Sequence, residues 1–409
     1  MPTRPLYNPQ SAIRNPHVRP LRTNTAGKAK VRNRDVIVAI AVFVASVSAA
    51  WAQSEPSSRA VPAIDITVDP RIELFSIIFR LAGHPEYNRA KVPGYAKDVD
   101  EHFAALKDHA VVQTARRLRG QYGVSFDAPM SLAVHLKDAA NLELIFPLFP
   151  WPEGIDNRWK PQEVKGFLSQ AKDFSAVGNF QAFFDKHKNL YQQSVARMEQ
   201  FLGRQAHLEW FGSFFGTRQD SRFHLVLGML NGPDCYGARA VGQGRRDLYC
   251  ILGVWSVDAQ GIPIFDKSVI PTVVHEFAHS YVNPLIEKWF DQLKKAGQAL
   301  FPAQEERMRQ MHYGNWRTMM IESLVRASVI RHAHRYDGPV AAKAMAMIES
   351  RQGFVWMPEL ADLLGKYEWE RRKYPTLEAF MPRVVEFFNA YATRQVGPGP
   401  ASKPSNPSN

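Results

Sequence analysis

Cysteine is scarce in this chain: two residues, Cys235 and Cys250, occur among 409. They form no CxxC pair, so neither reads as a zinc ligand and a metal site built on thiolates is excluded. They bracket a glycine-rich turn between two strand-like runs, which leaves two expectations open. One is a hairpin disulfide, worth about 3 kcal/mol in the chain-entropy model; the other is a pair of free buried thiols. A phosphate-cradling glycine loop is also missing, as is any internal repeat, so neither a nucleotide site nor a solenoid is indicated. Basic residues dominate by formal charge, +12 overall, but they are unevenly placed. Residues 1–52 hold eight Lys or Arg against the single acid Asp35, which leaves a surplus of only five for the rest. The folded part therefore gives no reason to expect a nucleic-acid partner.

Long apolar runs are lacking too. Val36 to Ala50 has about the length of a signal-peptide core and is short for a membrane span. It follows a basic region ending at Arg34-Asp35 and precedes Ala50-Trp51-Ala52-Gln53, with small residues at the two positions a signal peptidase reads. The expectation is cleavage after Ala52 and export to the periplasm or beyond. Contact with a membrane is expected only if residues 1–52 persist as an anchor. A polar linker, 53–62, follows, and residues 393–409 form a Pro/Ser-rich tail expected to be disordered.

The remainder is ordinary globular composition, 45% hydrophobic and 22% charged. Residues 63–215 read as mainly helical after a possible strand at Ile64 to Val68. Asp69-Pro70 is a helix start, with Asp69 as cap and Pro70 in the first turn, and Gly83 is the stop. The long stretch Phe180 to Leu202 reads as helix, and the Pro- and Trp-rich interval Phe146 to Trp159 as loop. In residues 216–392 the pattern changes. Phe223 to Leu230 and Leu248 to Trp255 are strand-like, with turn-rich sequence between them. Helical patterns then run over Trp316 to His334, Val340 to Glu349, Pro358 to Glu370 and Leu377 to Thr393. His332 and His334 are two apart, share no helical face and read as surface residues.

The stretch that carries chemistry is Val273-Val274-His275-Glu276-Phe277-Ala278-His279-Ser280-Tyr281, an HExxH pattern in uncharged surroundings. On a helix, residues four apart lie on one face, so His275 and His279 can aim two imidazoles at one ion. Glu276 sits about a quarter-turn round, within reach of a water beside that ion. Two nitrogen ligands, an open position and an adjacent carboxylate base are what zinc-assisted hydrolysis requires. Pro271 suits the first turn of this helix, and Asn283-Pro284 is expected to end it.

A catalytic zinc needs a third protein ligand. A His six residues past the second His is excluded, because Leu285 stands there. Among later carboxylates, Glu305 and Glu306 lie in a charged run that suits a solvated face, and Glu287 lies close behind Pro284. Glu322 differs: its helical neighbours Met319, Val325 and Val329 are apolar, and a lone carboxylate on such a face is costly unless paired or metal-bound. Arg326, one turn on, is the alternative partner, or a group that orients Glu322 from behind.

His275-Glu276-Phe277-Ala278-His279 followed by Glu322 resembles the gluzincin clan of metallopeptidases. More narrowly, Val68-Asp69-Pro70-Arg71-Ile72-Glu73-Leu74 and His279-Ser280-Tyr281-Val282-Asn283-Pro284-Leu285 resemble a bacterial family known only as a domain of unknown function within that clan. The resemblance covers roughly residues 63–392. It implies an α+β, predominantly helical chain whose zincin-like core places a small β-sheet before the metal-binding helix. It also implies Zn²⁺ on His275, His279 and Glu322 and Glu276 as the catalytic base, but no substrate; the hydrolytic site itself carries the expectation of a peptide or protein substrate. The oxyanion-stabilising residue stays open among His312, Tyr313, Tyr281 and Tyr236. The strand at Phe223 to Leu230 is expected to lie beside the cleft and pair with an extended peptide. Two other readings remain: a zinc-binding scaffold or chaperone without catalysis, and an amidase acting on a non-peptide, cell-wall amide. Glu276 argues against the first, since a purely structural site has no use for a base.

Overall fold

A computed structural model describes residues 64–396, apart from 206, 208, 217–220 and 312. The expected export segment, the linker and most of the expected tail lie outside the described residues, as does His312. The chain is α+β and predominantly helical, with one small sheet ahead of the HExxH helix. The first half comprises β1 (Ile64–Thr67), α1 (Pro70–Leu81), α2 (Pro93–His102), α3 (Ala110–Tyr122), α4 (Asp127–Ala133), α5 (Pro161–Val177), α6 (Phe180–Lys186), α7 (Lys188–Gln205) and α8 (Glu209–Phe215). Then come β2 (Ser221–Gly228), β3 (Cys235–Gly242), β4 (Arg245–Gly253) and α9 (Ile270–Lys288). The chain closes with α10 (Phe290–Gln310), α11 (Trp316–Tyr336), α12 (Pro339–Arg351), α13 (Met357–Trp369) and α14 (Leu377–Val396). No helix among the described residues is long and apolar enough to cross a membrane.

The sheet order is β1-β2-β4-β3. β1, β2 and β4 run parallel, and β3 is antiparallel to β4. The helical first half and the second half thus share one sheet, because β1 pairs with β2. A buried strut reinforces the join: Glu73 of α1 accepts the Met229 backbone N–H just past β2 at 2.9 Å and the Tyr95 hydroxyl at 2.8 Å. Asp69 caps α1 as expected, accepting the Arg71 N–H at 2.8 Å.

Three expectations need correction here. β2 is an interior strand whose backbone is paired on both sides, so it is not available to an extended substrate. The strand on that side of the sheet with an outer edge is β3, which the sequence disguises as turn because Gly237, Ala238, Ala240 and Gly242 are poor strand formers. Second, no disulfide forms: Cys235 and Cys250 are free and buried. Cys250 stands opposite Gly237 and Cys235 opposite Leu252, so the two are diagonal neighbours. Diagonal Cα atoms sit about 7–8 Å apart, beyond the usual disulfide span. Third, α9 does not stop at Pro284 but runs through it to Lys288. Val282, Leu285 and Ile286 keep its buried face continuous past the proline. That packing outweighs the ~3 kcal/mol cost of an internal proline.

α9 packs against β4, β3 and α11, the contacts that bring the metal-ligand candidates together. The long fragment expected at Phe180 to Leu202 is two helices, α6 and α7, divided at His187. His332 is buried, edge-on to Trp210 at 5.2 Å, while His334 is exposed. α11 is buried on most of its circumference, which takes in His332, and only its last turn is exposed, at His334 and Arg335.

Candidate metal centre

Pro271 lies in the first turn of α9, and the buried run Thr272 to Ala278 holds the helix beneath the sheet. His275 and His279, four residues apart, therefore face the same neighbour, α11. From α11, Glu322 reaches back to them. His275 Nε2 and His279 Nε2 are 3.1 Å apart. Glu322 Oε2 lies 3.5 Å from His275 Nε2, and Glu322 Oε1 lies 3.4 Å from His279 Nε2. The two carboxylate distances run to different Glu322 oxygens, and one ligand atom from each of the three residues lies within 4.8 Å of the other two, close enough to converge on one ion. Among the described residues this is the cluster of His, Cys, Asp and Glu side chains placed to hold a metal ion.

The electrostatics suit the same role. Burial, with the neighbouring His279 and Arg326, holds the His275 imidazole well below its ordinary pKa, so it stays neutral and keeps a lone pair. His279 Nδ1 donates to Asn283 Oδ1 at 2.9 Å, which leaves Nε2 as the acceptor nitrogen facing Glu322. Asn283 was not singled out in the sequence, although its position one turn beyond His279 is the signal that finds it.

Arg326 pairs with Glu322 from behind, as its place one turn further along the helix predicts, and leaves the carboxylate facing the two imidazoles. Its Nε donates to Glu322 Oε2 at 3.3 Å, and its other nitrogens donate to Glu349 at 2.5 Å, Gln352 at 3.3 Å and the Tyr313 hydroxyl at 2.9 Å. The guanidinium also lies over the Phe354 ring, 4.8 Å from its centroid. The buried charge is thus fully surrounded, and α11 and α12 are tied at the level of Glu322. No short-range pattern marks Glu349, which reaches the site only through tertiary packing.

Glu276 points from α9 toward β3. A Cβ on Gly237 would lie 2.6 Å from Glu276 Oε2, so only glycine allows the carboxylate this close to the strand. An isolated Gly in a strand is the sequence signal for such an approach. The Cys235 and Cys250 thiols share this neighbourhood, and burial, followed by the Glu276 charge, pushes the Cys250 thiol well up.

The remaining candidates separate cleanly. Tyr236 alternates to the opposite face of β3 from Gly237 and is buried there, so it does not reach the cluster. Tyr281 stacks among Phe215, Phe211 and Phe223 on the aromatic side of α9. Tyr313 does reach the cluster and is buried: its hydroxyl accepts from Arg326 at 2.9 Å and hydrogen-bonds Glu322 itself. Glu305 pairs with Arg309 at 2.8 Å and Glu306 is exposed, both away from the histidines. Glu287 is exposed near the end of α9 itself, so it fails for its place on the helix and not because of a break at Pro284.

The family described as Domain of unknown function (DUF4932) matches residues 151–387, a span that contains β2 to β4, the HExxH helix and Glu322. No curated protein and no solved structure matches the chain.

Proposed function

We propose that this chain, which belongs to the DUF4932 family, is a zinc-dependent hydrolase with a zincin-like core that cleaves peptide bonds. The observation that carries the reading is the convergence of His275, His279 and Glu322, whose ligand atoms lie within 4.8 Å of one another, with Glu276 buried against β3 on the same helix as the two histidines. A zinc ion there would polarise the substrate carbonyl and acidify a water at neutral pH. The chain's own residues supply the rest. Asn283 holds His279 in the tautomer that presents Nε2, and Arg326 holds the Glu322 carboxylate in place. Glu276, against the glycine gap in β3, takes the proton from the attacking water and delivers it to the leaving nitrogen. β3 offers the backbone edge along which an extended peptide can lie.

The test is metal analysis of the purified protein, followed by incubation with a mixed peptide library with and without chelator. About one zinc per chain and chelator-sensitive cleavage are expected. A protein that takes up no zinc, or that holds zinc and cleaves nothing, rejects the proposal.

A further inference from the structure

We infer that the site takes the end of a peptide chain and not its middle, an inference that rests on the hydrolase reading above. The argument starts from how little of β3 is accessible. Cys235 and Tyr236 are buried, backbone included, at 0% and 2% exposure. Gly237 is exposed, and Ala238 and Arg239 are half-buried. Beyond them the outer edge is already occupied. Val241 pairs with Arg246 of β4 on one side and is bridged antiparallel by Glu153 on the other.

Gly154 closes the gap further. A Cβ on it would come within 2.0 Å of the Arg239 carbonyl oxygen, so the backbone of this segment lies directly on the strand. The Arg239 guanidinium stands 3.4 Å from Glu153 and holds the segment there. The open window on β3 is therefore Gly237 and Ala238, about 7 Å at ~3.3 Å per residue, because the Arg239 carbonyl already lies against Gly154. Glu276 sits at the Gly237 end of that window.

An extended substrate pairing with β3 has room for about two residues between the Glu276 carboxylate and the Glu153–Gly154 wall. On the other side, the covered Cys235–Tyr236 stretch offers no edge to pair with. A chain running through the site in both directions would have to displace one of these two closures. A chain terminus, or a peptide of a few residues, needs to displace neither.

The experiment compares metal-loaded protein on one ten-residue peptide with both ends free, each end blocked singly, and both ends blocked by acetyl and amide groups. Mass spectrometry reads the fragments. Release of one- or two-residue pieces from a free end is expected, with kcat/KM at least ~10-fold lower when both ends are blocked. The singly blocked peptides then report which end is taken. Internal cleavage of the doubly blocked peptide at a rate comparable to the free one overturns this inference and leaves the hydrolase reading standing. No cleavage of any peptide by zinc-loaded protein overturns both. As a second arm, Gly154→Ala places a methyl against the Arg239 carbonyl and should push the wall off β3. With the fold checked by circular dichroism, it should raise internal cleavage relative to end cleavage; an unchanged ratio in the folded variant overturns the assignment of the wall.

Discussion

At the scale of single residues, ligands and base should fail differently. Glu276 faces β3, whereas Glu322 faces the two imidazoles. Glu276→Gln keeps the shape and removes the base, so zinc content should stay near one per chain while hydrolysis falls at least ~10²-fold. Glu322→Ala should lower zinc affinity and activity together, provided circular dichroism shows the fold intact. Tight zinc binding by that folded variant would remove Glu322 from the ligand set. Asn283→Ala frees the His279 ring and should weaken zinc binding by roughly 10- to 100-fold, measurable by competition with a chromophoric chelator. An unchanged affinity would mean that His279 needs no orienting partner. At this scale most of the cluster was legible. His275, Glu276 and His279 are written within five consecutive positions, and Glu322 stands out as a carboxylate among Met319, Val325 and Val329. Arg326 was legible too, one turn beyond Glu322, but its partners Glu349 and Gln352 were not, because they meet it across helices whose packing leaves no trace in local spacing.

At the scale of elements, the strand beside Glu276 is the one that the sequence hides. β2 and β4 are legible because Phe, Leu, Val, Tyr and Ile dominate them; β3 carries glycine and alanine and looks like turn. Its composition has a physical cause at Gly237, where any side chain would meet Glu276. The later helices follow their 3.6-residue periodicity, but α9 outruns its proline because buried side chains continue past it. Gly237→Ala tests the role of β3. Its Cβ would lie 2.6 Å from Glu276 Oε2 and must move that carboxylate. Hydrolysis should fall by roughly 10- to 100-fold, the cost of misplacing a catalytic group by an ångström or so. Zinc content should hold, since no ligand touches Gly237. Parent-like kcat in this variant would show that Glu276 works from another position.

At the scale of the whole molecule, the sheet is joined to the helical first half through a buried carboxylate whose protonation tunes stability. Glu73 is fully buried, and burial pushes its pKa up to about 7, against the hydrogen bonds from Met229 and Tyr95 that favour the charged form. In the unfolded chain the same carboxyl titrates near 4.5. Between those two values the folded state holds a proton that the unfolded state has lost, so stability declines as pH rises through that window. Below it both states are protonated and the penalty vanishes; above it both are ionised and the penalty is complete. Glu86 works the other way: its hydrogen bonds from His84, Phe126 and Arg119 overcome burial and hold it at about 2, so its contribution is present above ordinary carboxylate pKa values and fades only in strong acid. Glu73 therefore contributes a slope between pH 5 and pH 8 that a single substitution can remove. Glu73→Gln gives up one of two accepted hydrogen bonds, a cost that does not depend on pH, but it cannot ionise. Measured by urea unfolding, the parent should lose about 2–3 kcal/mol relative to the variant between pH 5 and pH 8. A gap between the two proteins that stays constant over that range would mean that Glu73 is already ionised in the folded state throughout.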